Sequence, residues 1–317
     1  MYRYFVLICV LLISCNDGTV LPSSSGAINE VVVVVDDHFW SDHCLTLKKN
    51  LTAQVQGIAW QEPLFDVIQI TKGEFSSFFK THRNLIIIQK GPQSKVYFDA
   101  QPFSQQQYLC IIEYQFSQDL PLLIEQYADV IAYDIQQKEK NRYLISDPLP
   151  EPLALLKSKF YINLSLPSNF SLVLDTLGFV WYEFNPKDME LIKGVFIYEI
   201  PVASAFNMDY ILKKRDSVQS QYVLGPIEGS YMATERLFQP IAKTYDYNGL
   251  LAFDIKGLWK MEHAFMGGPF ISKVLRHPQR QQAIVVDAFL FNPGQDKRNA
   301  LQELDWLISE TKVLPLE

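Results

Sequence analysis

The chain has 317 residues, of which 48% are hydrophobic and 13% aromatic, and its formal net charge is −7. A chain of about 300 residues buries roughly three quarters of its unfolded surface, so this composition supports a true core, as one large domain or two ordinary ones. The 28 basic residues are outnumbered by 35 acidic ones and form no basic stripe, which speaks against nucleic-acid binding and against attachment to anionic lipid headgroups.

The chain opens on a lone cation, Arg3, and an apolar run from Phe5 to Ile13. A short basic start followed by an apolar run of about 7–15 residues reads as a secretory signal. It is too short to span a bilayer, which takes about 20 apolar residues. Leu12-Ile13-Ser14-Cys15 resembles the lipobox of bacterial lipoproteins. That resemblance implies cleavage before Cys15, with residues 1–14 as lipoprotein signal peptide, and acylation of the Cys15 thiol and amine. Each buried methylene contributes about 0.8 kcal/mol and stable anchoring takes more than one acyl chain, so a multiply acylated cysteine is an adequate anchor. Residues 15–27, rich in Ser, Gly, Asn and Asp, read as a flexible tether. The expectation is an exported protein of the cell envelope, tied to the outer membrane by lipid and facing the periplasm or the cell surface. Cys44 and Cys110 lie in the mature part, where an oxidising compartment leaves a disulfide and two buried free thiols both open.

The first half, residues 28–145, begins with a buried strand over Ile28–Val35, which holds five consecutive valines. A helix is expected over Asp42–Leu51 with Asp42 as N-cap, then a strand over Leu64–Ile70. A short helix over Glu74–His82 places Phe75, Phe78 and Phe79 at i, i+3 and i+4. Strands over Leu85–Ile88, Val96–Phe98 and Tyr108–Glu113 precede a helix within Leu120–Gln136. Pro148, Pro150 and Pro152 mark residues 146–157 as a linker, because closely spaced prolines fit neither a helix interior nor a central strand.

In the second half, residues 158–317, strands are expected at Phe160–Leu164, Phe179–Phe184 and Val195–Val202, with a short helix over Phe170–Leu177 and a longer one over Met208–Val223. Leu250–Trp259, Phe270–Arg276 and Ala283–Phe291 read as an antiparallel meander. Asp296 is placed to cap a last helix with Ala300, Leu301, Leu304, Leu307 and Ile308 on its apolar face. The fold class is α+β: two halves, each a mixed or antiparallel sheet with helices packed on one face. A duplicated ferredoxin-like unit is one arrangement that would produce it.

Several stretches, in order along the chain, carry a family resemblance. They are Leu21-Pro22-Ser23-Ser24-Ser25-Gly26, Asn29-Glu30-Val31, Glu62-Pro63-Leu64-Phe65, Thr81-His82-Arg83-Asn84, Gly257-Leu258-Trp259, Phe265-Met266-Gly267-Gly268-Pro269-Phe270, Phe291-Asn292-Pro293-Gly294 and Asp296-Lys297-Arg298. Together they resemble a family of envelope lipoproteins defined by the domain of unknown function numbered 4837. The resemblance implies a class and no activity, cofactor or catalytic residue.

Two regions are candidates for function. The densest polar cluster, Asp36 to Cys44, follows a buried strand, where α/β folds often place their sites, and holds Asp37, His38, Asp42 and His43. Its spacing matches no zinc motif, and no metal or cofactor is expected. The other region is a binding rim of Trp259, His263, Phe265, Met266, Gly267 and Gly268, with Met266–Pro269 read as a tight turn between strands. Ser77-x-x-Lys80 fits a serine-acylase pattern whose companion elements are missing, and no nucleophile elbow, zinc helix or phosphate loop occurs. The leading expectation is a non-enzymatic binding or assembly protein with an envelope protein or a small ligand as partner. The alternative is an exported, metal-assisted hydrolase using the Asp36–His43 cluster.

Overall fold

The computed structural model describes residues 21–98, 102–146 and 153–316. The expected signal peptide, Cys15 and the proline-rich centre of the expected linker lie outside the described residues.

The first half contains β1 (Glu30–Val34), α1 (Asp37–His43), α2 (Leu45–Leu51), β2 (Asp66–Ile70), α3 (Ser77–Lys80), β3 (Asn84–Lys90), β4 (Lys95–Tyr97), β5 (Tyr108–Tyr114) and α4 (Asp119–Ser146). Its sheet runs β2-β1-β3-β5-β4, parallel except for the edge strand β4. A parallel strand covered on both faces needs no polar alternation, which accounts for the valine run. Val31, Val33 and Val35 pack under α2 and α4 against Leu47, Leu51 and Ile124. Val32 and Val34 face the other way, with Leu85, Leu109, Phe75 and Phe79. The helix expected over Asp42–Leu51 is two short helices broken at Cys44, so Asp42 lies within α1 and caps nothing.

The second half contains α5 (Ala154–Phe160), β6 (Ile162–Asn163), β7 (Ser171–Asp175), β8 (Phe179–Phe184), β9 (Ile192–Pro201), α6 (Met208–Tyr222), β10 (Tyr231–Thr234), β11 (Ile241–Tyr247), β12 (Leu250–Glu262), β13 (Gly267–Arg276), β14 (Gln282–Phe291), α7 (Arg298–Ser309) and β15 (Lys312–Val313). Eight strands form an antiparallel sheet in the order β10-β12-β13-β14-β9-β8-β7, with β11 also paired to β12. Helix α5 begins inside the segment expected to be linker. On one face α5 and α7 bury Leu156, Phe160, Leu301, Leu304 and Ile308. On the other, α6 buries Ile211 and Leu212 against Phe196, Phe270 and Phe289.

The architecture is therefore α+β in two parts, with three departures from expectation. Helices cover both faces of the larger sheet rather than one. The two sheets are not copies of a ferredoxin-like unit, since one is mainly parallel and the other antiparallel throughout. The segment Phe170–Leu177 is the edge strand β7, not a helix. Phe170, Leu174 and Leu177 sit at helical spacing, but Leu172 and Val173 between them are also apolar and half exposed, as an uncovered edge allows.

The halves meet along α7. The backbone N–H groups of Lys297 and Arg298 donate to the Glu62 carboxylate at 2.9 and 2.7 Å. Glu62, not the exposed Asp296, thus supplies the negative charge that a helix N-terminus favours. The Arg298 guanidinium donates to both Asp66 oxygens and to the Pro63 carbonyl. Asn29, in the left-handed region that asparagine tolerates, donates to Asn299 Oδ1 at 2.8 Å and Gln302 Oε1 at 2.5 Å. Deeper in the first half, Arg83 and Asn84 both donate to buried Glu139, and Arg142 donates to the Asn84 side chain and the Arg83 carbonyl. Burial pushes the Arg142 guanidinium down to about 10. The motifs Asn29-Glu30, Glu62-Pro63, Arg83-Asn84 and Lys297-Arg298 are thus scaffold residues.

Candidate functional site

The Asp36–His43 cluster does not converge. Asp37, His38 and Asp42 are exposed on α1, a helix with no buried residue, and Asp37 accepts a hydrogen bond from Gln69 at 3.0 Å. The His38 and His43 rings each lie tilted against Phe39, at 4.2 and 5.4 Å between ring centroids. Among the described residues no group of three metal-ligating side chains is arranged to hold an ion. Cys44, at the end of α1, and Cys110 on β5 are free, buried thiols rather than a disulfide. Burial pushes each thiol up to about 12, which removes both as nucleophiles near neutral pH.

The other expected region lies on a groove. Its volume of 710 Å³ falls within the range of ligand sites, about 300–1,000 Å³. The groove lies where the backbone ladder between β13 and β14 ends. The ladder between β13 and β14 stops at Phe270↔Phe289, and continuing that register would set Pro269 opposite Leu290. Proline has no N–H to give. The Trp259 indole N–H takes the Leu290 carbonyl instead, at 3.1 Å. It reaches across Gly268, where a Cβ would collide with that carbonyl oxygen and crowd Trp259 Nε1 at 3.1 Å. Gly267 and Gly268 are thus the first residues of β13, not a turn. The turn is formed by the preceding residues, with His263 at φ 64°.

Trp259, Met266, Gly267 and Gly268 line the groove, and Phe265 forms part of its rim. Trp259 is buried, edge-on to Phe289 at 5.5 Å, so it is the floor. Phe265 is fully exposed at the hairpin tip. His263 stands outside the lining with its ring toward Tyr231. Sequence reasoning missed the opposite wall: Ile58, Ala59 and Trp60 come from the first half, on the loop that Glu62 pins to α7. Trp60 is 69% exposed. Glu190, Glu235 and the Phe291–Gly294 segment complete it. The Phe291-Asn292-Pro293-Gly294 motif marked one of these walls; nothing in the sequence linked Trp60 to a hairpin 200 residues away.

The charged side chains at the groove differ in their partners. Lys260 pairs with Glu262 at 2.9 Å, and the Lys297 ammonium donates to the Gln295 carbonyl. Glu235 accepts from the Leu237 N–H at 2.8 Å and lies near enough to Lys260 to act on its charge, whereas Glu190 has no ion-pair partner among the described residues. Behind the groove, fully buried Arg215 donates to Asp287 at 2.7 Å, with Gln219 on the same carboxylate oxygen, and lies over the Phe270 ring at 3.6 Å. Burial pushes the Asp287 carboxyl up while Arg215 pulls it back. This ion pair ties α6 to β14 and does not open onto the groove.

No curated protein matches this sequence. Among solved structures, the Ran-binding protein Mog1p of Saccharomyces cerevisiae is similar at 9% identity and a TM-score of 0.33, over 49% of this chain and 91% of its own. A STAR-related lipid transfer protein from Xanthomonas axonopodis is similar at 11% identity and TM-score 0.24, over 43% of this chain and 90% of its own. LpqN, involved in cell envelope biogenesis of Mycobacterium tuberculosis, is similar at 12% identity and TM-score 0.23, over 49% and 83%. Among the described residues no helix is long and apolar enough to cross a membrane. Residues 24–144 match the family described as Domain of unknown function (DUF8532). Residues 151–309 match Domain of unknown function (DUF4837), and the chain belongs to that family.

Proposed function

We propose that the chain is a lipid-anchored cell-envelope protein, held by Cys15 and acting by binding rather than catalysis, with the groove between Trp60 and Phe265 as its contact surface. The observation that carries the reading is the groove itself: an apolar cavity of 710 Å³ flanked by two large exposed aromatic side chains. Exposed aromatic surface beside a concave apolar floor is costly in water and gains when a ligand covers it. The reactive side-chain types of the chain do not converge on this floor, and the polar cluster on α1 points into solvent.

Two measurements test the reading. Replacing Cys15 by alanine is expected to move the protein from the membrane to the soluble fraction; unchanged membrane retention would contradict the anchor. The neutral dye Nile red is expected to give a saturable fluorescence increase with the wild type that is lost in W60A/F265A and retained in H38A/H43A. Retention in the former or loss in the latter would move the site away from the groove.

A further inference from the structure

We infer that the chain meets its own bilayer with one defined face, at the N-terminal ends of β1, β3 and β5, where Leu21, Phe78 and Phe103 rest on the lipid; this rests on the reading of Cys15 as the anchor. The first observation is where the chain joins the body. Residues 21–26 are held in place. The Gln105 backbone N–H donates to the Pro22 carbonyl at 2.8 Å, and its side-chain amide to the Leu21 carbonyl at 2.7 Å. The Ser25 N–H donates to the Thr81 carbonyl and the Arg83 N–H to the Ser25 carbonyl, both at 2.8 Å. Gly26 lies against the His82 ring, where a Cβ would collide. Five residues, 16–20, separate Cys15 from Leu21. An extended chain gains at most about 3.6 Å per residue, so Leu21 stays within about 22 Å of the anchor. These contacts lie just before Glu30, Asn84 and Tyr108, the first residues of the parallel strands β1, β3 and β5. Helix α1 follows the other end of β1. For α1 to touch the bilayer, Leu21 would have to stand off by the strand, about 17 Å, and by a helix, about 10 Å, which is beyond that reach.

The second observation is what surrounds this junction. Thr81 ties it together. Its carbonyl also accepts from the Ser104 hydroxyl, and its own hydroxyl is hydrogen-bonded to Ser25 Oγ and to the Phe78 carbonyl. Beside these bonds Leu21, Phe78 and Phe103 are 37%, 71% and 37% exposed. Phe103 meets Phe75 edge-on at 6.3 Å, and Phe78 meets Phe79 at 5.2 Å. The Lys80 ammonium lies 6.0 and 5.8 Å from the Phe75 and Phe103 ring centroids. Exposed apolar side chains beside a lysine that reaches along aromatic rings suit the headgroup boundary, where the rings enter the acyl region and the ammonium stays in water. Lys72 and Lys80 against Glu74 leave this region little net charge, so the contact needs no anionic lipid.

The test uses the full acylated chain in phosphatidylcholine vesicles. A cysteine is introduced at exposed Ser77 on α3 or at exposed Ser41 on α1 and labelled with the environment-sensitive dye NBD; Cys44 and Cys110 are buried and stay unlabelled. With Ser77→Cys the dye is expected to shift to the blue and to be quenched by doxyl-labelled phosphatidylcholine at least about threefold more strongly than with Ser41→Cys. F78E/F103E is expected to remove that difference while the protein still co-sediments with the vesicles, and circular dichroism checks that this variant is folded. Equal quenching at the two positions, stronger quenching at Ser41→Cys, or a difference that survives F78E/F103E would overturn the inference. If the chain co-sediments and Ser77→Cys is not quenched, the face assignment falls and the anchor reading stands. If the chain does not co-sediment, or its mass shows no acyl chain, both fall. A blue shift at Ser77→Cys in the Cys15→Ala protein without vesicles would also overturn the inference, giving the patch to the chain itself, or to a second copy where the shift grows with concentration.

Discussion

Glu62 and Arg298 are 236 residues apart in sequence, yet the Arg298 backbone N–H donates to Glu62 Oε2 at 2.7 Å. One carboxylate thereby closes the first turn of α7 and fixes the loop that carries Trp60 to the groove. Hydrogen bonds to charged groups contribute about 1.5–3 kcal/mol each, and buried donors left unpaired cost a comparable amount. The Glu62→Ala variant is expected to lose about 2–3 kcal/mol in urea unfolding and to bind Nile red more weakly. Unaltered stability would show that the junction does not depend on this contact.

The contact between Trp259 and Leu290 makes a second prediction. Gly268→Ala forces a methyl group toward the Leu290 carbonyl and is expected to cost about 1–3 kcal/mol, as overpacking does. Trp259→Phe keeps the aromatic floor but leaves that carbonyl without its donor, at about 1–3 kcal/mol. Both are read from denaturation midpoints. Full stability in both variants would mean that the Trp259–Leu290 contact does not hold the two strand ends together.

Much of the scaffold could be read from residue patterns, and much of the groove could not. The valines of β1, the meander β12–β14 and the apolar stripe of α7 announce themselves through burial periodicity. The strand β7 was masked by helical spacing of its larger residues, and β11 by being mostly exposed and polar. The glycine pair before Pro269 looked like a turn because glycine and proline together usually mark one; its reason is close approach of Leu290. Trp259 looked like a ligand contact and proves to be buried, while Trp60 reaches the groove only through a contact between the halves. Long-range juxtaposition of this kind leaves no local pattern.

The Arg215–Asp287 pair is buried on both sides. Removing one partner of such a pair strands the other charge, at about 3–5 kcal/mol. Asp287→Leu or Arg215→Met alone is expected to destabilise the second half by that amount, measured by urea unfolding. The double replacement is expected to recover most of the loss. Additive losses would show that the two charges do not act as a unit.

The buried thiols make the protein sensitive to alkali. Cys44 and Cys110 are held up to about 12, against about 8.5 in an unfolded chain. A raised folded pKa contributes stability that is fully present below the unfolded value and is lost as pH rises through the folded one. Unfolding free energy should therefore fall between about pH 8.5 and 12, and fall less in C44A/C110A. Iodoacetamide at pH 8 should leave both thiols unmodified until urea unfolds the chain. Rapid labelling of the native protein, or an identical alkaline slope in the variant, would contradict the burial argument.

The five tryptophans give the most direct measurement of the central claim, that ligands enter the groove and not the cluster on α1. Trp60 and Trp259 line the groove, Trp40 lies on α1, and Trp181 and Trp306 belong to neither. In fluorine NMR of protein labelled with 5-fluorotryptophan, titration with the neutral apolar probe 2-naphthol is predicted to shift the Trp60 and Trp259 resonances and leave Trp40 in place. Movement of Trp40 with Trp60 and Trp259 unchanged would contradict it.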